Sequence, residues 1–358
     1  MMDVGKLMKI AGGIQRGTRS RHGAPLRAGP DTELGQLDLD IIRHLQQDGR
    51  KSFVDLADAL SVSAKTIRKR VAELLSNNQI EITTVTDPRV VGYQSIAMVA
   101  LRITGDTTRP ELAERLFEIE AVDYAVTTFG RYDALVELTC LDDRDLGEAI
   151  DKKIRKIPGV KDVDVFPYLD LHYQQPTWDQ TQSKKTMPTP SSKPAPLDAI
   201  DRQIIQHLSD DGRVTFLDIA SSIGASESQV RKRYARLTEN NVVRVLAITN
   251  PRGLGYETTA WLCINVAPDY GIRDLADRLA GIPSVAYLAI CAGRYDLMVE
   301  VICRDKEDLL NLINNDVRDL SGIAALETII CEDFFYRRVI PMAVDFLRQP
   351  AESLPDHA

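Results

Sequence analysis

The feature that most constrains this 358-residue chain is that it says the same thing twice. Asp48-Gly49-Arg50 returns as Asp211-Gly212-Arg213, Arg68-Lys69-Arg70 as Arg231-Lys232-Arg233, and Asn77-Asn78 as Asn240-Asn241. Pro88-Arg89 and Gly92-Tyr93 return as Pro251-Arg252 and Gly255-Tyr256, and Gly130-Arg131-Tyr132-Asp133 as Gly293-Arg294-Tyr295-Asp296. Every pair is 163 positions apart, so no insertion separates the copies. The chain is a tandem duplication of a unit long enough for two small domains.

Each copy opens with a helical pattern. Leu37, Ile41, Ile42 and Leu45 share a face that Asp48-Gly49 ends, and Phe53, Leu56, Ala57 and Leu60 mark a second helix. After the break at Ser61-Val62-Ser63, Ile67, Val71 and Leu74 form the apolar stripe of a third helix that Ser63 can cap. Lys65 and Lys69 point the other way, with Thr66 and Arg68 on the flanks. Such a helix serves either as a DNA recognition helix or as an ordinary surface helix. Three short helices with a three-residue turn before the last make a helix-turn-helix, whose second helix enters the major groove.

An alternating strand, Ile80 to Val85, leads out of the helical unit. Beyond Gly92-Tyr93 the pattern reads strand (94–103), helix (110–119), strand (122–129), a tight Gly-Arg-Tyr-Asp turn, strand (134–141), helix (143–157) and strand (160–171). This βαββαβ order predicts a ferredoxin-like module. The expected fold is therefore α+β, with two copies of a winged helix-turn-helix followed by a ferredoxin-like sensor module. Expected boundaries are a disordered basic arm (1–36), a helix-turn-helix (37–88), a ferredoxin-like module (89–173), a Pro/Ser-rich linker (174–196), then the second helix-turn-helix (197–251), the second module (252–340) and a C-terminal tail (341–358). The arm either adds non-specific DNA contacts or is a plain solvated tail.

Strand stretches such as Ile96 to Leu101 and Trp261 to Ile264 are apolar on both faces. A ferredoxin-like module covers one face with its own helices, so the other needs a partner. A second module packed sheet against sheet is the natural cover, within the chain as a pseudo-dimer or between chains in a homo-oligomer. Glu137 and Glu300, at equivalent strand positions, are either partly buried partners or, in the favoured reading, solvent-facing.

The net charge of −8 argues superficially against nucleic acid, but charge acts locally. Residues 94–173 carry 16 acidic and 10 basic side chains and residues 257–336 carry 14 and 6, whereas residues 64–77 carry one and four. Acid and base are segregated into different modules. Cys140, Cys263, Cys291, Cys303 and Cys331 lack Cys-x-x-Cys spacing and read as reduced thiols of a cytoplasmic protein. No apolar run reaches the length of a membrane span. No catalytic constellation, metal site or cofactor is expected.

The turn Gly130-Arg131-Tyr132-Asp133 has two readings. Exposed amides can hold a carboxylate and an Asp an ammonium group; alternatively the Asp bonds its own backbone in a tight hairpin.

Leu37-Asp38 with Ile41-Ile42, Asp48-Gly49-Arg50, Ile67-x-x-Arg70-Val71-x-x-Leu74, Asp87-Pro88, Gly92-Tyr93, Gly130-x-Tyr132-Asp133 and Pro158-Gly159-Val160 together resemble the Lrp/AsnC (feast/famine) transcriptional regulators. The resemblance covers about 37–173 and 197–340 and describes a tandem fusion of two family units. It departs where Leu320-Ser321-Gly322-Ile323 replaces Ile157-Pro158-Gly159-Val160. It implies a regulator that binds double-stranded DNA and a small-molecule effector, an amino acid or related metabolite, held near Gly130, Tyr132, Asp133, Gly293, Tyr295 and Asp296. DNA would be met by Lys65, Thr66, Arg68 and Lys69, and by Ser228, Gln229, Arg231 and Lys232. Arg70 and Arg233 complete the basic set, although they lie beside the apolar stripe, where structure or a phosphate claims them. Two other readings stand: a siroheme-decarboxylase-like enzyme, which resembles the same build, and a metabolite sensor without DNA binding. Of the five histidines, His22 and His357 lie in the tails, His44 and His207 on the first helices, and His172 at a sensor-strand end.

Overall fold

A computed structural model describes residues 34–174 and 197–336, except positions 78, 87, 90, 241 and 250–254. Most of the expected basic arm, the linker, the tail, and the Asp87 and Pro251-Arg252 signals lie outside these residues.

The first copy begins with α1 (Gln36–Gln47), α2 (Phe53–Leu60) and α3 (Ala64–Ser76), followed by β1 (Ile80–Val85). The second repeats them as α6 (Ala199–Asp210), α7 (Phe216–Ile223), α8 (Glu227–Glu239) and β6 (Arg244–Thr249). Ser52 and Ser63 cap α2 and α3 by accepting the amides of Asp55 and Thr66. Ser61, with φ 55°, makes the left-handed turn between the two helices.

The wing is not a hairpin within each unit. β1 pairs antiparallel with β6, from Ile80 opposite Thr249 to Val85 opposite Arg244. One hydrophobic core spans both units: Ile41, Leu45, Leu56, Ile67 and Leu74 of the first copy share it with Ile204, Leu208, Ile219, Val230 and Leu237 of the second.

The sensor modules are β2 (Ser95–Ile103), α4 (Arg109–Leu116), β3 (Val122–Phe129), β4 (Ala134–Cys140), α5 (Asp143–Glu148) and β5 (Val160–Gln174), repeated as β7 (Thr258–Val266), α9 (Ile272–Ala280), β8 (Val285–Cys291), β9 (Leu297–Cys303), α10 (Lys306–Asn311) and β10 (Ile323–Tyr336). The helix expected over 143–157 is α only as far as Glu148. It continues as a π turn over Ala149–Lys153 and a 3-10 turn over Ile154–Lys156. The extra residue in the turn keeps Ile150 and Ile154 against the sheet. The same slip recurs at Leu312–Val317.

The modules do more than stack. β5 crosses from β2 to pair with β8, and β10 crosses from β7 to pair with β3, closing an eight-stranded barrel in the order β10-β3-β4-β2-β5-β8-β9-β7. Strand alternation divides the side chains: Ala97, Val99 and Leu101 pack under the helices of the first copy, while Met98 and Ala100 face the barrel interior with Phe166, Trp261, Tyr287 and Met298. The two halves therefore pair within one chain.

This closure overturns the expectation for Glu137 and Glu300. Their neighbours Val136 and Leu138, and Val299 and Val301, face the helices, so both carboxylates point inward and are at most 9% exposed. Burial raises the pKa of both. Tyr168 and Tyr287 each donate to Glu137 at 2.7 Å, and Tyr124 donates to Glu300 at 2.9 Å. All five cysteines are unpaired, with four buried and Cys331 partly exposed.

Candidate functional site

The Asp-Gly-Arg repeats turn out to be the interlock between the two helix-turn-helix units. The amide of Gly49 donates to Val245 O at 2.8 Å, and that of Gly212 to Ile82 O at 2.9 Å. A Cβ on Gly49 would lie 3.0 Å from the backbone nitrogen of Leu246, and one on Gly212 would lie 2.8 Å from Ile82 O. Only glycine admits the other copy's strand this closely. Arg50 donates to the carbonyls of Gly212 (2.6 Å) and Val214 (3.0 Å), and Arg213 to those of Gly49 (2.7 Å) and Lys51 (3.1 Å). Each guanidinium also covers an aromatic ring of the opposite unit, Arg50 on Phe216 at 4.4 Å and Arg213 on Phe53 at 4.3 Å.

This interlock fixes α3 relative to α8. Lys65, Arg68 and Lys69 are exposed on α3, with Thr66 half-buried and its hydroxyl 2.8 Å from that of Ser63. Ser228, Gln229, Arg231 and Lys232 are exposed on α8. Arg70 and Arg233 are placed differently. Arg70 binds both carboxylate oxygens of the buried Asp38 and lies 3.0 Å from Glu73; Arg233 bonds Asp198 (2.6 Å) and Asp201 (2.8 Å). These arginines tie the recognition helices to α1 and α6, so the structure does not bring them onto the exposed basic face. The mid-helix position beside the apolar stripe was the sequence signal for this role.

The two Gly-Arg-Tyr-Asp turns meet across the barrel. Gly130 and Gly293 both have φ near 122°. Tyr132 donates to Asp164 at 2.7 Å and Tyr295 to Glu327 at 2.6 Å, while Arg131 crosses to Glu327 (2.8 Å) and Arg294 to Asp164 (3.7 Å). Phe166 lies between the two tyrosine rings, 6.4 Å from Tyr132 and 5.3 Å from Tyr295. Burial, reinforced by the Asp164 hydrogen bond, pushes the Tyr132 hydroxyl up to about 12. The turn aspartates brace the backbone: Asp133 accepts from Ile103 N at 3.0 Å and Asp296 from Val266 N at 2.7 Å. The other Asp133 oxygen lies 3.6 Å from Arg109 beside a cavity of about 460 Å³. The Asp133 carboxylate thus braces the neighbouring strand β2 rather than its own hairpin, with its other oxygen toward the cavity. Arg109 and Glu332, which line this cavity, carry no repeat signal and were not singled out in the sequence.

AsnC-type helix-turn-helix domains match residues 34–75 and 197–238, an Lrp/AsnC ligand binding domain matches 259–338, and a C-terminal dimeric alpha+beta barrel domain matches 93–180. An uncharacterized HTH-type transcriptional regulator of Pyrococcus abyssi is 36% identical over 140 residues, covering 39% of this chain and 88% of the relative. The chain belongs to the Lrp/AsnC family. The HTH-type transcriptional regulator LrpA of Pyrococcus horikoshii is 31% identical over 128 residues, 36% of this chain and 90% of that relative. These Lrp/AsnC relatives thus align with little more than a third of a chain that holds two such units. Among solved structures, the siroheme decarboxylase NirDL is similar across both units. Its TM-score is 0.58 at 18% identity, covering 87% of this chain and 96% of that one. That likeness concerns the fold. Among the described residues no helix is long and apolar enough to cross a membrane, and no group of three or more His, Cys, Asp or Glu is placed to hold a metal ion.

Proposed function

We propose that the chain is a DNA-binding transcriptional regulator working as an intrachain pseudo-dimer, with α3 and α8 reading two unlike half-sites. The observation that carries this reading is the interlock: β1–β6 pairing and the Arg50 and Arg213 contacts hold two exposed basic helices in one fixed relation. Two helix-turn-helix units at set spacing are what half-site recognition requires. Lys65, Arg68, Lys69, Arg231 and Lys232 supply positive charge for phosphates and guanines, and Gln229 a group that pairs with adenine. An amino acid or related metabolite at the Gly-x-Tyr-Asp region, around Gly130, Tyr132, Asp133, Gly293, Tyr295 and Asp296, would favour one placement of the interlocked helix-turn-helix pair on the barrel through unequal affinity for the two placements. The test is duplex-DNA binding across a salt series with Lys65→Ala and Arg68→Ala. Each lost phosphate contact flattens the log–log salt slope by about 0.9. Unchanged affinity and slope would remove the DNA reading.

A second reading follows from the fold shared with a siroheme decarboxylase over both units. It requires a tetrapyrrole complex. Titration of the chain with siroheme, followed by absorbance, is expected to give no saturable spectral change; a stable complex with decarboxylation would replace the first reading with this one.

A further inference from the structure

We propose that the cavity where Arg50, Arg213 and Arg231 converge is a phosphoryl-binding site at the seam of the two helix-turn-helix units. Its location favours a backbone phosphate of bound duplex as the occupant; to that extent it rests on the DNA reading above and deepens it. The cavity, about 460 Å³ and open to solvent, is walled by the first turns of α8, the start of α7 and the Arg50 guanidinium that the first copy sends across. Three arginines line it with one acid, Glu227. Arg50 and Arg213 are each held by two backbone carbonyls and an aromatic ring of the other unit. Among the described residues neither forms an ion pair with a carboxylate. Further N–H donors therefore remain on each planar fork, already fixed in place for an oxyanion.

The positive charge here is under-compensated. Burial lowers the pKa of Arg50 and of Arg213, and the neighbouring cations push the same way, Arg231 on Arg50 and Arg50 on Arg213. Asp48 and Asp211 oppose this from nearby, but each accepts the amide of its own turn, Arg50 N and Arg213 N, at 2.8 Å. Arg231 pairs with Glu227 at 2.6 Å and lies 5.1 Å from the Phe216 ring. One carboxylate thus serves three guanidiniums, and a phosphoryl group would relieve their mutual repulsion. Tyr234 supplies a neutral donor: it lines the cavity close to Arg50, and its hydroxyl makes no hydrogen bond among the described residues. Val71, buried in the core, stands at this place in the first copy, so the hydroxyl belongs to this cavity alone. Arg231 is also part of the exposed basic face of α8, so a duplex along that face brings its backbone to the cavity mouth. In helix-turn-helix complexes the helix before the recognition helix crosses that backbone, and α7 begins at the cavity wall.

The test uses the full chain and two probes: inorganic phosphate, followed by phosphorus magnetic resonance at fixed ionic strength, and a fluorescent random-sequence duplex, followed by anisotropy. Arg50 and Arg213 also hold the fold together, so the variants are Arg231→Gln and Tyr234→Phe, which break no hydrogen bond between elements and are expected to leave the melting temperature unchanged. The expected result is saturable phosphate binding that weakens about tenfold in Arg231→Gln and about threefold in Tyr234→Phe, and tightens in Glu227→Gln. Displacement of phosphate by the duplex would identify the backbone as the occupant; phosphate retained on the duplex-bound chain would overturn that occupant in favour of a free phosphate ester at the same site. Phosphate binding that does not saturate, or that is equal in parent, Arg231→Gln and Tyr234→Phe, would overturn the site itself. Duplex binding that still depends on Lys65 and Arg68 would then leave the DNA reading intact, whereas saturable phosphate binding without any duplex binding would remove that reading and keep the site.

Discussion

The guanidinium of Arg50 donates to the carbonyl oxygen of Gly212 at 2.6 Å, joining two residues of the same repeated tripeptide from opposite halves of the chain. Its mirror contact, Arg213 to Gly49, lies at 2.7 Å. Arg50→Ala removes two hydrogen bonds to buried-side carbonyls and the stack on Phe216. We expect it to destabilise the helix-turn-helix pair by about 2–4 kcal/mol. Arg213→Ala should cost a similar amount. Denaturant melts of both variants check this, and a loss below about 0.5 kcal/mol in either would show that the interlock contributes little.

The recognition helices differ in their first turns. Glu227 pairs with Arg231 at 2.6 Å on α8, whereas Ala64 stands at the equivalent place on α3 and Arg68 lies 5.9 Å from the Phe53 ring. On the proposed DNA-binding reading, Glu227 neutralises Arg231 and repels phosphate. Glu227→Ala should therefore tighten duplex binding roughly threefold to tenfold at low salt, with less gain at high salt. Fluorescence anisotropy would show this; unchanged or weaker binding would mean that α8 does not face the duplex.

Glu300 sets a pH dependence. Burial, with a smaller contribution from Glu137, raises its pKa from 4.5 to about 7, against the Tyr124 hydrogen bond. The folded chain then holds a proton that the unfolded chain has released between these values. Stability from this group is fully present below about pH 4.5 and is lost as pH rises through about 7, a fall on the order of 3 kcal/mol. Glu300→Gln, which keeps an acceptor for Tyr124, should flatten stability across this window. Denaturant unfolding at pH 5 and pH 8 measures it, and an equal pH slope in wild type and variant would contradict the assignment.

The sequence made local structure legible because its periods are unambiguous. The stripe of Ile67, Val71 and Leu74, the Ser63 cap, strand Ile80–Val85 and the glycine at 130 are all found where expected. Pairing between the copies was less accessible. Nothing in Ile80–Val85 specifies Arg244–Thr249 as its partner, and the crossing of β5 and β10 depends on how far these strands extend beyond their own sheets. Glu137 and Glu300 were misjudged for a related reason: a cover over the second sheet face was expected, but nothing in the sequence showed that it would bring Tyr124, Tyr168 and Tyr287 as donors to a buried carboxylate.

The central claim, one chain reading two unlike half-sites, is tested most directly by selecting binding sequences from a random duplex library with the full chain and with the Lys65→Ala, Arg68→Ala double variant. The account predicts an enriched site of two different half-sites for the parent and loss of preference at one of them for the variant. A single half-site repeated as a perfect palindrome, or no enrichment at all, would contradict it.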